Sequence, residues 1–210
     1  MSTDKRPASG GQTATSNVQQ PANPARDVAM IAVFAGVTAA LGQLPSIPTP
    51  YSGVPITAQS LGVMLAGAVL GARRGAASQA LFLALVALGL PLLAGGRGGI
   101  GVFAGPTVGF LVGFVVVAAL IGWATERVGA PYRVVPGLII NAGIGVVALY
   151  ACGIVGMMIV TQMPLPASLL AMIPFLPGGA VKVLIATFVA RGVHAAYPGL
   201  LPVRRPSGTA

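Results

Sequence analysis

Two cations in this sequence lie where almost every neighbouring residue is apolar or glycine. Arg97 sits within the glycine-dense stretch 89–113 and is the only charged residue between Arg74 and Glu126. Lys182 lies near the start of the last apolar segment. An arginine offers five N–H donors in a planar fork that fits a carboxylate, and a lysine inside a membrane costs free energy unless it faces a polar pocket. We therefore expect both cations to contact a ligand that carries an anionic group.

Each cation also has an interpretation without a ligand. Arg97 could be a solvated loop residue, and Lys182 could extend its ammonium group to the membrane surface while its stem stays among apolar groups. Gly96, Gly98 and Gly101 spell G-x-G-x-x-G, which indicates a dinucleotide site only between a β-strand and a helix, with an acid about 20 residues on. That context is absent from the sequence, so we reject the nucleotide interpretation.

The residues around these cations complete a candidate binding site. Glycines next to Arg97 clear space and let a ligand approach the backbone closely. Gln59 and Thr107 could hydrogen-bond to the ligand, although such residues near a helix end often act as local caps. The predicted ligand-binding residues are Gln59, Gly95, Gly96, Arg97, Gly98, Gly99, Thr107 and Lys182.

The sequence offers little for catalysis or metal binding. His194 is the only histidine, Cys152 is the only cysteine, and the three acids are scattered, so neither a nucleophile–base pair nor a metal-ligand set is visible. There is no G-x-x-x-x-G-K-[ST] motif for ATP, and no acid lies inside an apolar segment to couple an ion. We expect a solute-binding protein without catalytic residues, metal or cofactor, powered by other subunits.

Composition places the chain in a membrane. Of its 210 residues 55% are hydrophobic and 7% are charged, and the mean hydropathy is +0.88, whereas soluble domains carry about 25% charged residues. The net charge of +9 does not indicate nucleic acid as a partner, because the cations lie at segment ends and form no patch with aromatic residues.

Six apolar segments predict an all-α membrane protein, a bundle of six transmembrane helices in one domain. Helices are expected because backbone groups in lipid must be satisfied within each segment. A polar tail at 1–25 is predicted to be disordered, the membrane domain to span 26–197, and a short tail to follow at 198–210. The segments lie at about 27–44, 56–71, 75–90, 107–124, 134–160 and 178–196.

The distribution of cations predicts the orientation of this bundle. If the chain crosses six times, ten of its twelve cations lie on one side and only Arg97 and Lys182 lie towards the other, which is a strong positive-inside signal. Both termini are then cytoplasmic, in a multi-pass protein of the cell membrane, and loops 45–55, 91–105 and 161–177 face outward. The ten are Lys5, Arg6, Arg26, Arg73, Arg74, Arg127, Arg133, Arg191, Arg204 and Arg205.

Small residues recur at four-residue spacing in two segments. The first segment carries Ala32, Gly36 and Ala40, and the fourth carries Gly109 and Gly113 after Gly105. Such spacing lets membrane helices approach closely. Packing within the bundle is one interpretation, and docking of a partner membrane protein by the first segment is the other.

Residues 53–114 and the last segment resemble the BioY biotin transporters, the substrate-binding (S) components of energy-coupling factor (ECF) transporters. The resemblance covers roughly residues 27–196. Its motifs stand in the family's order: P-I-T-x-Q at 55–59, L-G-x-x-x-G at 70–75, G-L-P at 89–91, GG-x-GG-x-G at 95–101, G-P-T-x-G at 105–109 and PGGAVK at 177–182.

The resemblance implies a six-helix S-component fold that binds biotin from outside. It implies a transmembrane coupling protein and a pair of ATPases as partners, with the coupling protein contacting Ala32, Gly36 and Ala40. It places Arg97 at a variable position close to the ligand, where the carboxylate of biotin would fit, and it matches Lys182 to the family's lysine in the last helix.

The sequence departs from the family pattern at several positions near the implied site. Gly179 stands where the family has an aspartate that would accept the ureido N–H groups of biotin, so that contact is lost or replaced. Val108, Phe110 and Leu111 replace a glycine, a tyrosine and an arginine. The alternatives to a biotin transporter are an S component for another small anionic vitamin and a membrane assembly protein without transport.

Overall fold

The computed structural model describes residues 24–49 and 53–200, and in this part of the chain it is all-helical. A 3₁₀ helix, Ile100–Ala104, precedes α3, and a π-helical stretch, Asn141–Ala148, joins α4 to α5. The described residues contain no β-strand, which confirms the predicted all-α class. The helices are α1 (Pro24–Gly42), α2 (Gln59–Ala87), α3 (Val108–Val128), α4 (Val134–Ile140), α5 (Leu149–Thr161), α6 (Leu165–Leu170) and α7 (Phe175–Ala196).

Four helical stretches are long and apolar enough to cross a membrane: Pro24–Gly42, Val108–Val128, Val134–Thr161 and Phe175–Ala196. An 18-residue window of the third has a mean hydropathy of 2.3, and only 28% of that window is buried inside the molecule. An apolar helix that leaves most of its surface uncovered is unfavourable in water, but it is the expected arrangement where lipid is the solvent. The fold is that of a membrane protein.

Helix α2 consists of two helices that meet at Gly71, where φ is +81°. Glycine adopts this conformation without the steric cost that other residues incur. Glu126 of α3 lies against the break, and its Oε1 accepts a hydrogen bond of 2.9 Å from the backbone N–H of Ala72. Gly122, one turn earlier in α3, has no room for a Cβ because the backbone of the break packs directly on it. The break is therefore fixed by α3.

With the stretch from α4 to α5 taken together, the helix bounds agree with the predicted apolar segments to within four residues, the largest difference being the end of α3 at 128 instead of 124. α6 was not predicted and lies in the stretch 161–177, which was expected to be a loop. The two segments predicted at 56–71 and 75–90 correspond to the two halves of α2. α1 begins at Pro24, two residues before the predicted start of the membrane domain. Most of the predicted tails, 1–23 and 201–210, lies outside the described residues.

Glycines of α3 let it pack closely on α5, as the small-residue spacing in that segment predicted. A Cβ at Gly109 would collide with the backbone of Cys152 and Gly156, and a Cβ at Gly113 would lie 3.0 Å from the side chains of Cys152 and Leu149. Close backbone approach of this kind is what small residues provide in lipid. This stripe is used inside the bundle.

The two ends of the bundle differ in character. At one end Arg74 pairs with Asp27 at 2.9 Å, and the ring of Tyr132 stacks on that of His194 with centroids 5.1 Å apart. At the other end lie two of the loops predicted to face outward, 45–55 and 91–105. The backbones of Ile47 and Ile56 exchange hydrogen bonds of 3.0 and 2.8 Å, and the amide of Gln43 donates to the carbonyl of Pro91 at 3.2 Å.

Candidate functional site

A cavity opens at the loop end of the bundle, between the start of α2, the loop before α3 and the start of α7. Its space, counted to the surfaces of the lining atoms and including open solvent at its mouth, is about 560 Å³. Four of the eight predicted ligand-binding residues line it, together with aromatic and aliphatic side chains. The four are Gln59, Arg97, Thr107 and Lys182.

Arg97 lies on a loop whose conformation is fixed by its own backbone. The N–H of Leu93 donates to the carbonyl of Arg97 at 3.0 Å, and the reverse bond is 3.2 Å. The side chain is exposed and its Nε donates to the carbonyl of Ala94 at 3.2 Å. The terminal guanidinium nitrogens have no acceptor among the described residues, so two N–H pairs remain available at the mouth of the cavity.

The four predicted glycines shape this loop and are not among the residues that line the cavity. Gly95, Gly96 and Gly99 have φ of +77°, +69° and +85°, and a Cβ at any of them would meet nothing within 4 Å. Glycine is required at these three positions for its backbone conformation, because other residues are strained at positive φ. Gly98 is different, since a Cβ there would collide with the carbonyl of Leu90.

Gln59, the first residue of α2, holds the same loop in place. Its side chain is only 3% exposed. Its Nε2 donates to the carbonyl of Leu92 at 3.2 Å, and its Oε1 accepts from the N–H of Ala94 at 3.3 Å. Both ends of the amide are thus used by the loop that carries Arg97. We expected Gln59 to contact a ligand, and the geometry gives it a positioning role as well.

Lys182 reaches from α7 to the chain just before and within the first turn of α2. Its Nζ donates to the carbonyl of Thr57 at 2.6 Å and to the hydroxyl of Ser60 at 2.9 Å. An ammonium group has three protons, so one remains for a ligand in the cavity. No carboxylate of the described residues pairs with Lys182. The ammonium is therefore held by two neutral oxygens and has no carboxylate partner among the described residues.

The cavity contains two cations and no acid. The acids of the described residues are both at the other end of the bundle, where Asp27 pairs with Arg74 and Glu126 accepts from Ala72. A small cavity with apolar walls and two cations without a carboxylate partner favours an anionic or strongly polar ligand. Pairing of each cation with such a ligand is favourable because little water is present to solvate the charge.

Aromatic residues that we did not predict as site residues form one wall of the cavity. The rings of Phe110 and Phe175 stack with centroids 6.2 Å apart, and Tyr150 meets Phe175 edge-on at 6.1 Å. The resemblance had placed Phe110 near the implied site, and Tyr150 had a signal of its own, since a tyrosine in the middle of an apolar segment must find a polar partner. Its hydroxyl donates to the carbonyl of Phe175 at 2.8 Å.

The small-residue face of α1 is not used inside the bundle. Ala32, Gly36 and Ala40 are all exposed, and a Cβ at Gly36 would meet nothing within 4 Å. The buried residues of α1, which include Ala35 and Thr38, lie on the opposite face. Packing within the chain, one of the two interpretations of this spacing, is therefore excluded for α1.

Comparisons with known proteins agree with the fold. Residues 12–199 match the family model described as BioY family. "Biotin transporter BioY" of Rhodobacter capsulatus is 47% identical over 189 residues, which cover 85% of this chain and 98% of that protein. The protein of the same name from Rhizobium etli is 45% identical over 185 residues, with the same coverages.

A solved structure shares the fold. It is described as the crystal structure of the S-component for biotin from an ECF-type ABC transporter, and it matches with a TM-score of 0.78 and 30% sequence identity over 82% of this chain and 92% of that one. The family match spans nearly all described residues, and the relatives are similar over almost their whole length. This chain belongs to the BioY family.

Proposed function

We propose that this protein binds biotin and serves as the substrate-specific S component of an ECF-type ABC transporter that takes biotin into the cell. The observation that carries the proposal is the cavity at the loop end, which holds Arg97 and Lys182 without any acid. The names of the relatives and of the solved structure supply the ligand that matches this chemistry. Biotin is a small molecule with one carboxylate and one compact polar ring.

The positions of the two cations suggest how biotin would lie. Arg97 is at the mouth, with its terminal nitrogens unpaired, and would bind the carboxylate through paired N–H···O bonds. Lys182, half-buried between α7 and α2, would donate its remaining proton to the polar ring. Thr107 and Gln59 would contact the ligand at the wall, and Gly95, Gly96, Gly98 and Gly99 would let the loop close over it.

The proposed transporter has six membrane-crossing helices, counting the two halves of α2 separately. α2 as a whole returns on itself at Gly71, so each half is shorter than the roughly 20 residues of an upright span. The positive-inside rule then puts both termini and the end with Arg74 and Asp27 in the cytoplasm. The cavity faces outward across the cytoplasmic membrane, where external biotin can enter it.

The exposed small-residue face of α1 is the proposed contact with the transmembrane coupling protein of the ECF module. Ala32, Gly36 and Ala40 offer a smooth surface to which another membrane helix can pack closely. ATPase subunits bound to that coupling protein would supply the energy, because the described residues contain no ATP-binding motif and no acid inside the cavity.

Equilibrium binding of labelled biotin to the purified full chain in lipid nanodiscs tests the proposal. Saturable binding at micromolar ligand or below, competed by unlabelled biotin but not by other anionic vitamins, is the expected result. The control is the Arg97→Ala/Lys182→Met double variant, which should bind no biotin while retaining the thermal stability of a folded bundle. Absence of saturable binding by the unsubstituted protein would overturn the proposal.

A further inference from the structure

Tyr150 of α5 and Gly179 of α7 form a matched pair beside the cavity. Gly179 is buried, and a Cβ at its position would lie 2.8 Å from the hydroxyl oxygen of Tyr150. The next nearest atoms are the two methyl groups of Val146, at 3.5 Å, which is an ordinary contact distance. The phenol oxygen of Tyr150 is therefore the one atom that leaves no room for a side chain at position 179. Because residue 179 is a glycine, the hydroxyl of Tyr150 can pack directly against α7.

The hydroxyl of Tyr150 has already used its proton. It donates to the carbonyl of Phe175 at 2.8 Å. A phenol has one proton and two lone pairs, so what Tyr150 can still offer to a ligand is an acceptor and not a donor. Its ring is fixed edge-on against Phe175, with centroids 6.1 Å apart, so the oxygen is held in one place without loss of side-chain entropy on binding.

We infer that Tyr150 is a specificity-determining residue of this cavity, whose phenol oxygen accepts a hydrogen bond from an N–H group of the ligand. The inference rests on the proposed function. Lys182 lies three residues after Gly179, hence on the same side of α7, and it lines the same cavity as Tyr150. The cavity thus presents a donor next to an acceptor, and a cyclic urea presents the complement, a carbonyl flanked by N–H groups.

The alternative for Tyr150 is a purely structural role, in which its hydroxyl only ties α5 to the start of α7 through Phe175. A ligand series separates the two roles. In a cyclic carbamate analogue of biotin, one ureido N–H is replaced by an oxygen of similar size, so a donor is removed with little change of shape. Two such analogues exist, one for each N–H.

Binding of biotin and of both carbamates is measured for the unsubstituted protein, for Tyr150→Phe and for the control Tyr197→Phe, which removes the same atom from an exposed ring after α7. Tyr150→Phe should weaken biotin by about 3- to 10-fold, as expected for one neutral hydrogen bond, and should not weaken one of the two carbamates. Equal losses for all three ligands, or no loss for biotin, would overturn the inference. If the unsubstituted protein fails to bind biotin, the proposed function itself is wrong.

A second measurement tests the pair without any ligand. Gly179→Ala should lower the thermal stability of the unsubstituted protein, since its Cβ would collide with the hydroxyl of Tyr150. In the Tyr150→Phe background Gly179→Ala should lower the thermal stability only slightly, because the nearest remaining atoms, the methyl groups of Val146, lie at an ordinary contact distance from the new Cβ. An equal cost of Gly179→Ala in both backgrounds would show that Tyr150 does not occupy this place, and would overturn the inference as well.

Discussion

The ammonium of Lys182 lies 2.6 Å from the carbonyl oxygen of Thr57, and this bond joins the last helix to the chain 125 residues earlier, just before α2 begins. Thr57 belongs to the chain segment that pairs with the loop after α1 through Ile56. A single side chain therefore connects α7 with one of the loops that border the cavity. The same ammonium also faces the space where we place the ligand.

Replacing this ammonium should affect binding more than it affects the rest of the fold. Lys182→Met keeps most of the apolar stem but leaves the carbonyl of Thr57 and the hydroxyl of Ser60 without their donor. Since hydrogen bonds to charged groups are worth about 1.5–3 kcal/mol, we expect the Kd for biotin to rise by about 10- to 100-fold in equilibrium binding.

Ser60→Ala is the matched control for Lys182. It removes one of the two acceptors that hold the ammonium in place, at 2.9 Å, while the charge remains. Its effect on the Kd should be several-fold smaller than that of Lys182→Met. A Kd for Lys182→Met equal to that of the unsubstituted protein would show that the ammonium does not contact biotin.

Arg97→Ala should weaken biotin more than it weakens biotin amide. The guanidinium has unpaired terminal nitrogens, and a carboxylate uses them as a charged pair whereas a neutral amide does not. We expect a loss of at least about 10-fold for biotin and a smaller one for the amide, with the difference shrinking at high salt because the site is open at its mouth. Competition binding at two salt concentrations measures both effects.

The control for Arg97 is Arg191→Ala, which removes the same charge from an exposed position at the other end of the bundle. It should leave both affinities unchanged. Equal losses of biotin and biotin amide in Arg97→Ala would remove the carboxylate assignment, and a loss in Arg191→Ala would mean that overall charge, not a local contact, governs binding.

Gln59→Leu should weaken biotin more than it weakens biotin amide, but by a smaller factor than Arg97→Ala does. Gln59 fixes the backbone of the loop at Leu92 and Ala94, so its loss displaces Arg97 without removing it, and the apolar replacement fills the buried space. Equal losses for the two ligands would indicate that Gln59 acts at the wall of the cavity and not through Arg97. The same competition assay measures this ratio.

The sequence predicted the helices and marked Arg97 and Lys182 as candidate ligand contacts, because each of these features rests on a local signal. An apolar run of about 20 residues, a breaker after it and an isolated charge within it can all be read from neighbours along the chain. That Arg97 and Lys182 line one cavity was an expectation from topology, since both lie towards the same predicted side of the membrane.

Other features of the site could not be read from local signals. Both hydrogen bonds of the Gln59 side chain go to a loop more than 30 residues away along the chain. The carbonyl that binds Lys182 belongs to the backbone of Thr57, and a backbone group carries no sequence signal. Phe175 of the aromatic wall resembled ordinary apolar sequence, and Phe110 was marked only by the resemblance to the family. The position of the break in α2 was predictable, because Gly71 ended one apolar segment and two arginines preceded the next. The contact of Glu126 with this break was not predictable, because it depends on how α3 packs.

Gly36→Leu should separate binding from uptake. A side chain at Gly36 meets nothing within 4 Å in the chain, so folding and biotin binding should be unchanged, while a bulky residue on this face should prevent close approach of a coupling protein. Biotin uptake by cells and co-purification of the coupling protein with the tagged chain measure the effect, and we expect both to fall at least about tenfold.

The comparison for Gly36 is Ala35→Leu, one residue away on the buried face of α1 at 3% exposure. Overpacking there should lower thermal stability and binding together, at a cost of about 1–3 kcal/mol. Normal uptake by Gly36→Leu would contradict a partner on this face of α1.

Glu126→Ala should destabilise the break in α2 without touching the cavity. The carboxylate accepts the hydrogen bond from Ala72, whose N–H begins the second half of α2 and has no partner within that half. Loss of such a charged acceptor at a helix start costs about 0.5–2 kcal/mol, so the melting temperature should fall by a few degrees while the Kd for biotin stays within about twofold.

Gly71→Ala should be more damaging than Glu126→Ala, since it strains the backbone at φ of +81° and also forces a Cβ against the side chain of Glu126. The double variant distinguishes these two costs. If the clash dominates, Gly71→Ala in the Glu126→Ala background should cost clearly less than it does alone. If the strain dominates, the two costs should add. Because α2 must bend at this point for both of its halves to pack along α3, a chain that tolerated Gly71→Ala with unchanged melting would not contain the break.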